Sequence, residues 1–95
     1  MIFTWYTYIL TNYTNTVLYV GFTNNLQRRL EEHKKGIGSH FPRRYRLYKV
    51  VWYQTFSTSL EAMRMEKKIK GWTRDKKWEL IKKINPKYMD LLALR

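Results

Sequence analysis

The chain has 95 residues, a formal net charge of +12 and no cysteine. A chain of this length buries only about 60% of the surface that its unfolded form exposes, so one domain over residues 1–95 with one modest core is expected. The positive charge indicates a polyanionic partner, and nucleic acid ranks above a membrane surface. The lack of cysteine excludes a disulfide framework and cysteine-based zinc sites.

The N-terminal part of the chain carries no charged side chain before Arg28. It is not predicted to cross a membrane, because residues 11–16 are strongly polar and interrupt it before about 18 apolar residues accumulate. It also lacks the basic start and the small-residue cleavage site of a signal peptide. We therefore expect a cytoplasmic protein that does not bind membranes.

A β-hairpin is predicted at the start of the chain. Aromatic and β-branched residues form two strands around a run of turn formers, and the strand, loop and strand cover residues 3–10, 11–16 and 16–21. If Leu10 pairs with Val17, then Tyr8 lies directly opposite Tyr19 on one face of the hairpin. This pair is either a stabilising aromatic contact or part of a functional site.

The first predicted helix carries charged side chains on its apolar stripe. On a helical wheel that starts at Leu26, Leu30 falls near about 40°, Arg29 near about 300° and His33 near about 340°. An arginine and a histidine therefore share the stripe with two leucines. Since a purely structural helix would place apolar residues there, this stripe is predicted to face a cleft as well as a core. Gly21, just before this helix, either ends the second strand or allows a close approach of backbone or ligand.

A basic segment is predicted around the end of the first helix. Thr23 or Asn24 can cap the start of this helix, which ends before Gly36, and residues 36–42 are predicted to form a loop. Arginine forks beside a tyrosine ring suit phosphate contact and base stacking. The residues predicted to bind nucleic acid are Lys34, Lys35, Arg43, Arg44 and Arg46. The alternative is a solvated basic turn.

The remainder of the chain reads as a strand and three helices. Their predicted ranges are residues 47–56, 59–70, 74–84 and a short closing helix over 88–94. Thr58 and Glu61 match a capping box at the start of the second helix. On the third helix, Trp78, Ile81 and Ile84 are predicted to point inward. The order β-β-α-β-α-α with a short tail predicts an α+β domain with a small antiparallel sheet.

The second helix also places a charged residue, Glu66, on its apolar stripe. The apolar members of this stripe are Ala62, Met65 and Ile69. Glu66 is either a partner for a nearby basic side chain or a ligand for a cation in the same cleft as Arg29. Magnesium is commonly held by one or two carboxylates together with waters and substrate phosphate, so one glutamate suffices.

These polar residues together suit phosphodiester hydrolysis. Arg29 can stabilise charge on a phosphate, and Glu66 can hold a metal ion. Tyr8 or Tyr19 is a candidate base, because a nearby arginine and a metal ion favour the phenolate. His33 can bind phosphate, donate a proton or relay one. A zinc hydrolase site fits worse, since His33 and His40 are the only histidines, and no Walker-type phosphate loop is present.

The sequence resembles the GIY-YIG endonuclease superfamily over nearly its whole length. The first motif is similar to residues 6–10, the second to residues 19–21, and the spacing to Arg29 and His33 also matches. The segment from Arg64 to Trp72 resembles the one that holds the metal-binding glutamate of the family, and Asn85 resembles a late polar position. Tyr6 replaces the glycine that names the first motif, and Val20 replaces the isoleucine of the second. The strongest resemblance is to small stand-alone bacterial members of the URI type.

The resemblance implies a three-stranded antiparallel sheet flanked by helices and a DNA endonuclease that uses one divalent ion, Mg²⁺ or Mn²⁺. It implies that Glu66 binds the metal, that Arg29 contacts the phosphate, and that Tyr8 or Tyr19 activates water. A monomer is expected, with a possible protein partner that supplies specificity. Roles in DNA repair, in recombination or as a remnant of a mobile element are all compatible with this reading.

Two other hypotheses compete with the nuclease. The chain could be a basic nucleic-acid-binding module with weak or no catalytic activity, which the charge alone would explain. Alternatively, the tyrosines, Arg29 and Glu66 could form only a buried ionic and aromatic network.

Overall fold

The computed structural model describes residues 4–37 and 41–93, which form a three-stranded antiparallel sheet and helices. The elements in chain order are β1 (Trp5–Thr11), β2 (Leu18–Thr23), α1 (Leu26–Lys35), α2 (Phe41–Arg44), β3 (Lys49–Phe56), α3 (Ser59–Lys70) and α4 (Arg74–Ile84). The sheet order is β2-β1-β3, so β1 is central and β2 is an outer strand. The predicted α+β architecture is confirmed.

The hairpin register differs from the prediction by two residues. Tyr8 pairs with Gly21, and Tyr19 pairs with Leu10, so Tyr8 and Tyr19 are not directly opposite. The Thr11 hydroxyl donates to the Val17 carbonyl at 2.7 Å and holds Val17 in the loop rather than in β2. Because the shift is an even number of residues, both tyrosines keep the same face and lie diagonally across the hairpin.

The core has two layers, one on each face of the sheet. On one face, Tyr8 and Leu10 of β1 pack with the α1 leucines and with Val50. On the other face, Ile9 packs in a cluster whose remaining buried members come from β2, β3, α3 and α4, namely Val20, Val51, Trp52, Ile69 and Ile81. The alternation of adjacent β1 residues between the two clusters follows from the two-residue period of a strand.

Local capping signals set most helix ends. Thr58 accepts a hydrogen bond from the Glu61 N–H at 3.2 Å and donates to its carboxylate, which confirms the predicted capping box. α1 is capped by Asn25, which accepts from the Arg28 N–H at 3.0 Å, and the prediction of Thr23 or Asn24 was wrong by one or two positions. Gly36 ends α1 as predicted, with a left-handed φ of 76°.

Three further predictions were wrong in detail. Residues 41–44, predicted to be loop, form the short helix α2. Ile84 is 61% exposed at the end of α4, whereas Ile81 is buried as predicted. Residues 88–93 form turns rather than a helix, because this segment bonds to β3 instead, with the Leu91 N–H donating to the Val50 carbonyl at 2.8 Å.

The structure also bears on membrane insertion. Among residues 4–37 and 41–93, none of the helices combines the length and the apolar character that a membrane crossing requires.

Candidate active site

The candidate site begins where the Tyr8 side chain crosses Gly21 on the outer strand β2. A Cβ atom at Gly21 would lie 2.6 Å from Tyr8 Cζ, still closer to the Tyr8 hydroxyl, and 3.2 Å from a Tyr19 ring carbon. Gly21 is therefore neither the end of β2 nor a simple spacer. Its missing side chain leaves the space through which the tyrosine hydroxyl reaches the edge of the sheet.

His33 lies beside both tyrosines. Its Nε2 atom is 2.9 Å from the Tyr8 hydroxyl, and its ring meets the Tyr19 ring edge-on with centroids 5.3 Å apart. The side chain is fully buried, and its Nδ1 atom has no hydrogen-bond partner among the described residues. The histidine that the helical wheel placed on an apolar stripe is thus packed against the tyrosine pair.

Burial controls the protonation of Tyr8 and His33. Burial, reinforced by the neighbouring Tyr19, raises the pKa of Tyr8, although the charge and hydrogen bonding of Arg29 oppose this shift. Burial and the Arg29 charge lower the pKa of His33 to about 4. At neutral pH Tyr8 is therefore a phenol and His33 a neutral imidazole. The expectation that Arg29 favours a Tyr8 phenolate was wrong for the protein on its own, because burial outweighs the arginine.

Arg29 is held in place by groups that follow it along the chain. Its Nη1 atom donates to the Glu32 carboxylate at 3.3 Å and to the Ile37 carbonyl at 3.2 Å. The side chain remains 22% exposed, and its charge acts on both Tyr8 and His33. Arg29 thus sits at the boundary between the buried pair and solvent, where one side of the guanidinium can reach a ligand.

Glu66 approaches the same tyrosine from α3. Its side chain is 14% exposed and accepts an ion pair from Lys70 at 3.5 Å. The charge of Glu66 also contributes to the raised pKa of Tyr8, which places the carboxylate near the Tyr8 hydroxyl. Since α1 and α3 pack on opposite faces of the sheet, Arg29 and Glu66 converge on Tyr8 from the two sides of β2.

A cation site at Glu66 would rest on this single carboxylate. Among residues 4–37 and 41–93, no group of three or more histidine, aspartate or glutamate side chains could hold a metal ion. A half-buried carboxylate beside a phosphate-binding arginine still fits Mg²⁺, which keeps several waters and uses substrate oxygens as ligands. The residues present therefore fit one divalent ion.

Thr7 is a residue that the sequence did not single out. Its buried hydroxyl donates to the Ala62 carbonyl at 2.7 Å, and so ties β1 to α3 one helical turn before Glu66. The link connects the neighbour of Tyr8 to the turn that carries the carboxylate. No sequence pattern would have indicated it, because it joins residues 55 positions apart.

The predicted nucleic-acid-binding residues lie on α1, on α2 and just after it. Lys34, Arg44 and Arg46 are exposed, as is Lys35, and the side chain of Arg43 lies outside the described residues, as does His40. Arg44 stacks over the Tyr45 ring at 5.6 Å, and the Lys34 amine lies 5.7 Å from the centre of the Tyr48 ring. Two of these cations are thus held over aromatic faces.

Asn85 has a structural role. Its amide donates to the carbonyls of Val51 and Met89, both at 2.9 Å, and its oxygen accepts from the Met89 N–H at 3.0 Å. The side chain is nearly fully buried, and these bonds fasten the end of α4 to β3. Its resemblance to a late polar position of the family therefore coincides with a cap in this chain.

Comparison with known proteins identifies the class. The family model described as "GIY-YIG catalytic domain" matches residues 4–85, which contain all the site residues above. The chain belongs to the GIY-YIG family, a family of nucleases, as its sequence suggested. Tyr6 and Val20 depart from the motif name as noted, and so does Thr7, which stands at the isoleucine of the first motif.

The similar proteins are small and share the name UPF0213. A UPF0213 protein from Bacillus pumilus is 43% identical over 60 residues, 63% of this chain and 61% of the relative. A UPF0213 protein from Clostridium perfringens is 38% identical over 76 residues, 80% of this chain and 81% of the relative. The solution NMR structure of a UPF0213 protein from Bacillus halodurans superimposes with a TM-score of 0.58 at 30% identity and covers 96% of both chains.

Proposed function

We propose that this protein is a metal-dependent endonuclease that hydrolyses phosphodiester bonds in DNA. The observation that supports this best is the buried pair of Tyr8 and His33, whose hydroxyl oxygen and Nε2 atom are 2.9 Å apart. A phenol beside a neutral imidazole is a proton relay, and Arg29 stands next to it with part of its guanidinium in solvent. A merely structural network would not need to keep the histidine unprotonated at neutral pH.

The pair can move a proton in one direct sequence. The Tyr8 hydroxyl donates to His33 Nε2, while the tyrosine oxygen accepts a proton from the attacking water. His33 ends as an imidazolium and Tyr8 is again a phenol. Because the pKa of His33 is lowered to about 4, the imidazole is ready to accept at neutral pH but returns the proton readily after the reaction. Tyr8 is therefore assigned as the base, and Tyr19 as the ring that packs beside His33.

Arg29 is assigned to the phosphate. A guanidinium fork matches two phosphate oxygens and stabilises the charge that develops on them. Glu32 and the Ile37 carbonyl hold the Nη1 atom, so the guanidinium is oriented before a substrate binds. Pre-orientation reduces the conformational entropy that binding would otherwise cost.

Glu66 is assigned to one Mg²⁺ or Mn²⁺ ion. When bound, such an ion supplies Lewis-acid stabilisation to the phosphate oxygens. The chain itself contributes the carboxylate, which Thr7 helps to position through the Ala62 carbonyl. The ion pair with Lys70 must be exchanged for the ion.

The basic segment is assigned to the DNA backbone. Lys34, Lys35, Arg43, Arg44 and Arg46 lie on or near α1 and α2, and α1 also carries Arg29. Contacts of this kind give affinity without reading sequence. We therefore assign target specificity to DNA structure or to a protein partner, and we place the protein in the cytoplasm as a monomer.

The test is a cleavage screen with a matched pair of arginine variants. Duplex, branched and single-stranded DNA are incubated with the wild type in Mg²⁺, Mn²⁺ or EDTA. We expect cleavage of at least one substrate that requires the metal, and a loss of about 100-fold or more in Arg29→Ala. Arg28→Ala is the control, since Arg28 is exposed and hydrogen-bonds only to Asn24 among its described side-chain contacts. Equal rates for the two variants would contradict the assignment.

A second candidate is a DNA-binding module without catalysis. The stacking of Arg44 on Tyr45 favours it, because such a pair suits base or backbone contact without any chemistry. It predicts binding that weakens steeply with salt, no cleavage in any metal, and an affinity unchanged by Glu66→Gln.

A further inference from the structure

A groove lies beside the candidate site, along the outer edge of β2. It encloses about 350 Å³ and is lined by Leu18, Tyr19, Val20, Lys70 and Lys77, which we call the lysine groove. The three β2 residues are consecutive, so their side chains alternate between the two faces of the sheet. The groove therefore runs along the edge of the strand rather than over either face.

Two helices bring lysines to this groove. Lys70 is at the end of α3 and is 51% exposed, while Lys77 is half-buried in the first part of α4. The start of α4 is fixed to the hairpin loop, because Arg74 Nη2 donates to the Thr16 carbonyl at 2.6 Å. Lys77 follows Arg74 by three residues, about one helical turn, so its place next to β2 is set by this bond.

The lysine groove is continuous with the candidate site. Tyr19 belongs to both, since it lines the groove and packs edge-on against His33. Lys70 also belongs to both, since it lines the groove and pairs with Glu66 at 3.5 Å. A polymer bound at the site would therefore extend into the groove.

We infer that the lysine groove is a second phosphate-binding site, which holds backbone phosphates of the nucleic acid next to the bond to be cut. Two ammonium groups on an otherwise apolar and aromatic lining fit a phosphate on one strand. The basic segment of α1 and α2 cannot account for this groove, because Lys70 and Lys77 are on different elements. The inference rests on the proposed function only in taking nucleic acid as the partner.

Lys70 has two roles in this arrangement. It neutralises Glu66 in the protein alone, and it contacts phosphate once a cation replaces it at the carboxylate. Binding of a cation and binding of the nucleic acid are then mutually favourable, because each releases Lys70 towards the other's requirement.

The test compares two double variants that remove the same charge. Lys70→Gln/Lys77→Gln removes the groove lysines, and Lys68→Gln/Lys83→Gln removes exposed lysines of the same two helices. Binding of a fluorescein-labelled duplex and of a labelled single strand is measured by anisotropy in EDTA, over a series of salt concentrations. Circular dichroism and thermal melting verify that all variants are folded.

The expected result is a change in the salt dependence of binding. Each lost phosphate contact lowers the slope of log K against log salt by about 0.9 for duplex DNA and about 0.7 for a single strand. The groove variant should lose about 1.8 or about 1.4 of slope, and the control variant close to none. Equal slopes for the two variants would overturn the inference.

The outcome is separable from that of the proposed function. Binding in EDTA does not depend on catalysis, so a slope change in a protein that never cuts DNA supports the groove alone. Metal-dependent cleavage with equal slopes contradicts the groove alone. A wild type that binds neither probe overturns both.

Discussion

Gly21→Ala tests how the candidate site is built. In a free strand alanine should be better than glycine by about 0.5–1 kcal/mol, because glycine loses more conformational entropy on folding. Here the new methyl carbon would lie 2.6 Å from Tyr8 Cζ and 3.2 Å from the Tyr19 ring. Carbon atoms do not approach that closely, so the Tyr8 ring must move. We therefore expect the sign of the substitution to reverse.

The magnitude follows from what resists the movement. Tyr8 is 2% exposed and its hydroxyl is held by His33 at 2.9 Å, so the ring can neither swing into solvent nor withdraw without loss of that bond. Overpacking of this kind costs about 1–3 kcal/mol. In a chain of 95 residues this corresponds to a melting temperature lower by roughly 4–8 °C for each kcal/mol.

Gly71→Ala supplies the matched control. Gly71 has a helical φ of −77°, and a Cβ there would meet its nearest atom, the Lys68 carbonyl oxygen, at 3.5 Å. This is an ordinary contact, so the substitution should be neutral or stabilising by up to about 1 kcal/mol. The two glycine variants thus have opposite expected signs for the same chemical change.

The assay is urea unfolding followed by fluorescence of the four tryptophans. A cycle with Tyr8→Phe adds a second readout, since removal of the hydroxyl removes the closest contact of the new methyl group and should reduce the cost of Gly21→Ala. A Gly21→Ala protein as stable as Gly71→Ala, with no coupling to Tyr8→Phe, would refute the reasoning about this site.

Three other predictions concern single side chains. The pKa of His33 is lowered from 6.5 to about 4, so the unfolded chain gains a proton in this range that the folded chain does not. Stability should therefore fall as the pH drops from 6.5 to 4, by roughly 3 kcal/mol in all, and urea titrations of His33→Gln should lack this part of the slope. Thr7→Val should lose about 1 kcal/mol of unfolding free energy, because the bond to the Ala62 carbonyl is buried; a variant as stable as the wild type in urea would contradict this. Lys70→Gln should bind Mn²⁺ more tightly than Lys68→Gln in the absence of DNA, measured by calorimetry, because it no longer competes for Glu66.

Local signals allowed much of the fold to be predicted from the sequence. Thr58 and Glu61 fixed the start of α3, and Gly36 fixed the end of α1, because caps depend on residues only a few positions apart. The helical wheel also placed His33 on the buried side of α1, where the structure has it. These features depend on the period and the ends of single elements.

The register and the site contacts could not be predicted in the same way. The register depends on how Thr11 closes the hairpin loop at Val17, and several pairings satisfy the same alternation. The space at Gly21 becomes visible only when Tyr8 is known to lie opposite it. The raised pKa of Tyr8 required its burial, since the nearby arginine alone indicated the opposite shift.

The most direct measurement is the rate of metal-dependent DNA cleavage by Glu66→Gln relative to the wild type. Glu31→Gln, an exposed change of the same kind on α1, is measured beside it. We predict that the wild type and Glu31→Gln cut at equal rates, and that Glu66→Gln loses about 100-fold or more while its melting temperature stays close to that of the wild type. Cleavage by Glu66→Gln at the wild-type rate would contradict the assignment of the metal to Glu66, and the absence of wild-type cleavage on duplex, branched and single-stranded DNA would contradict the nuclease itself.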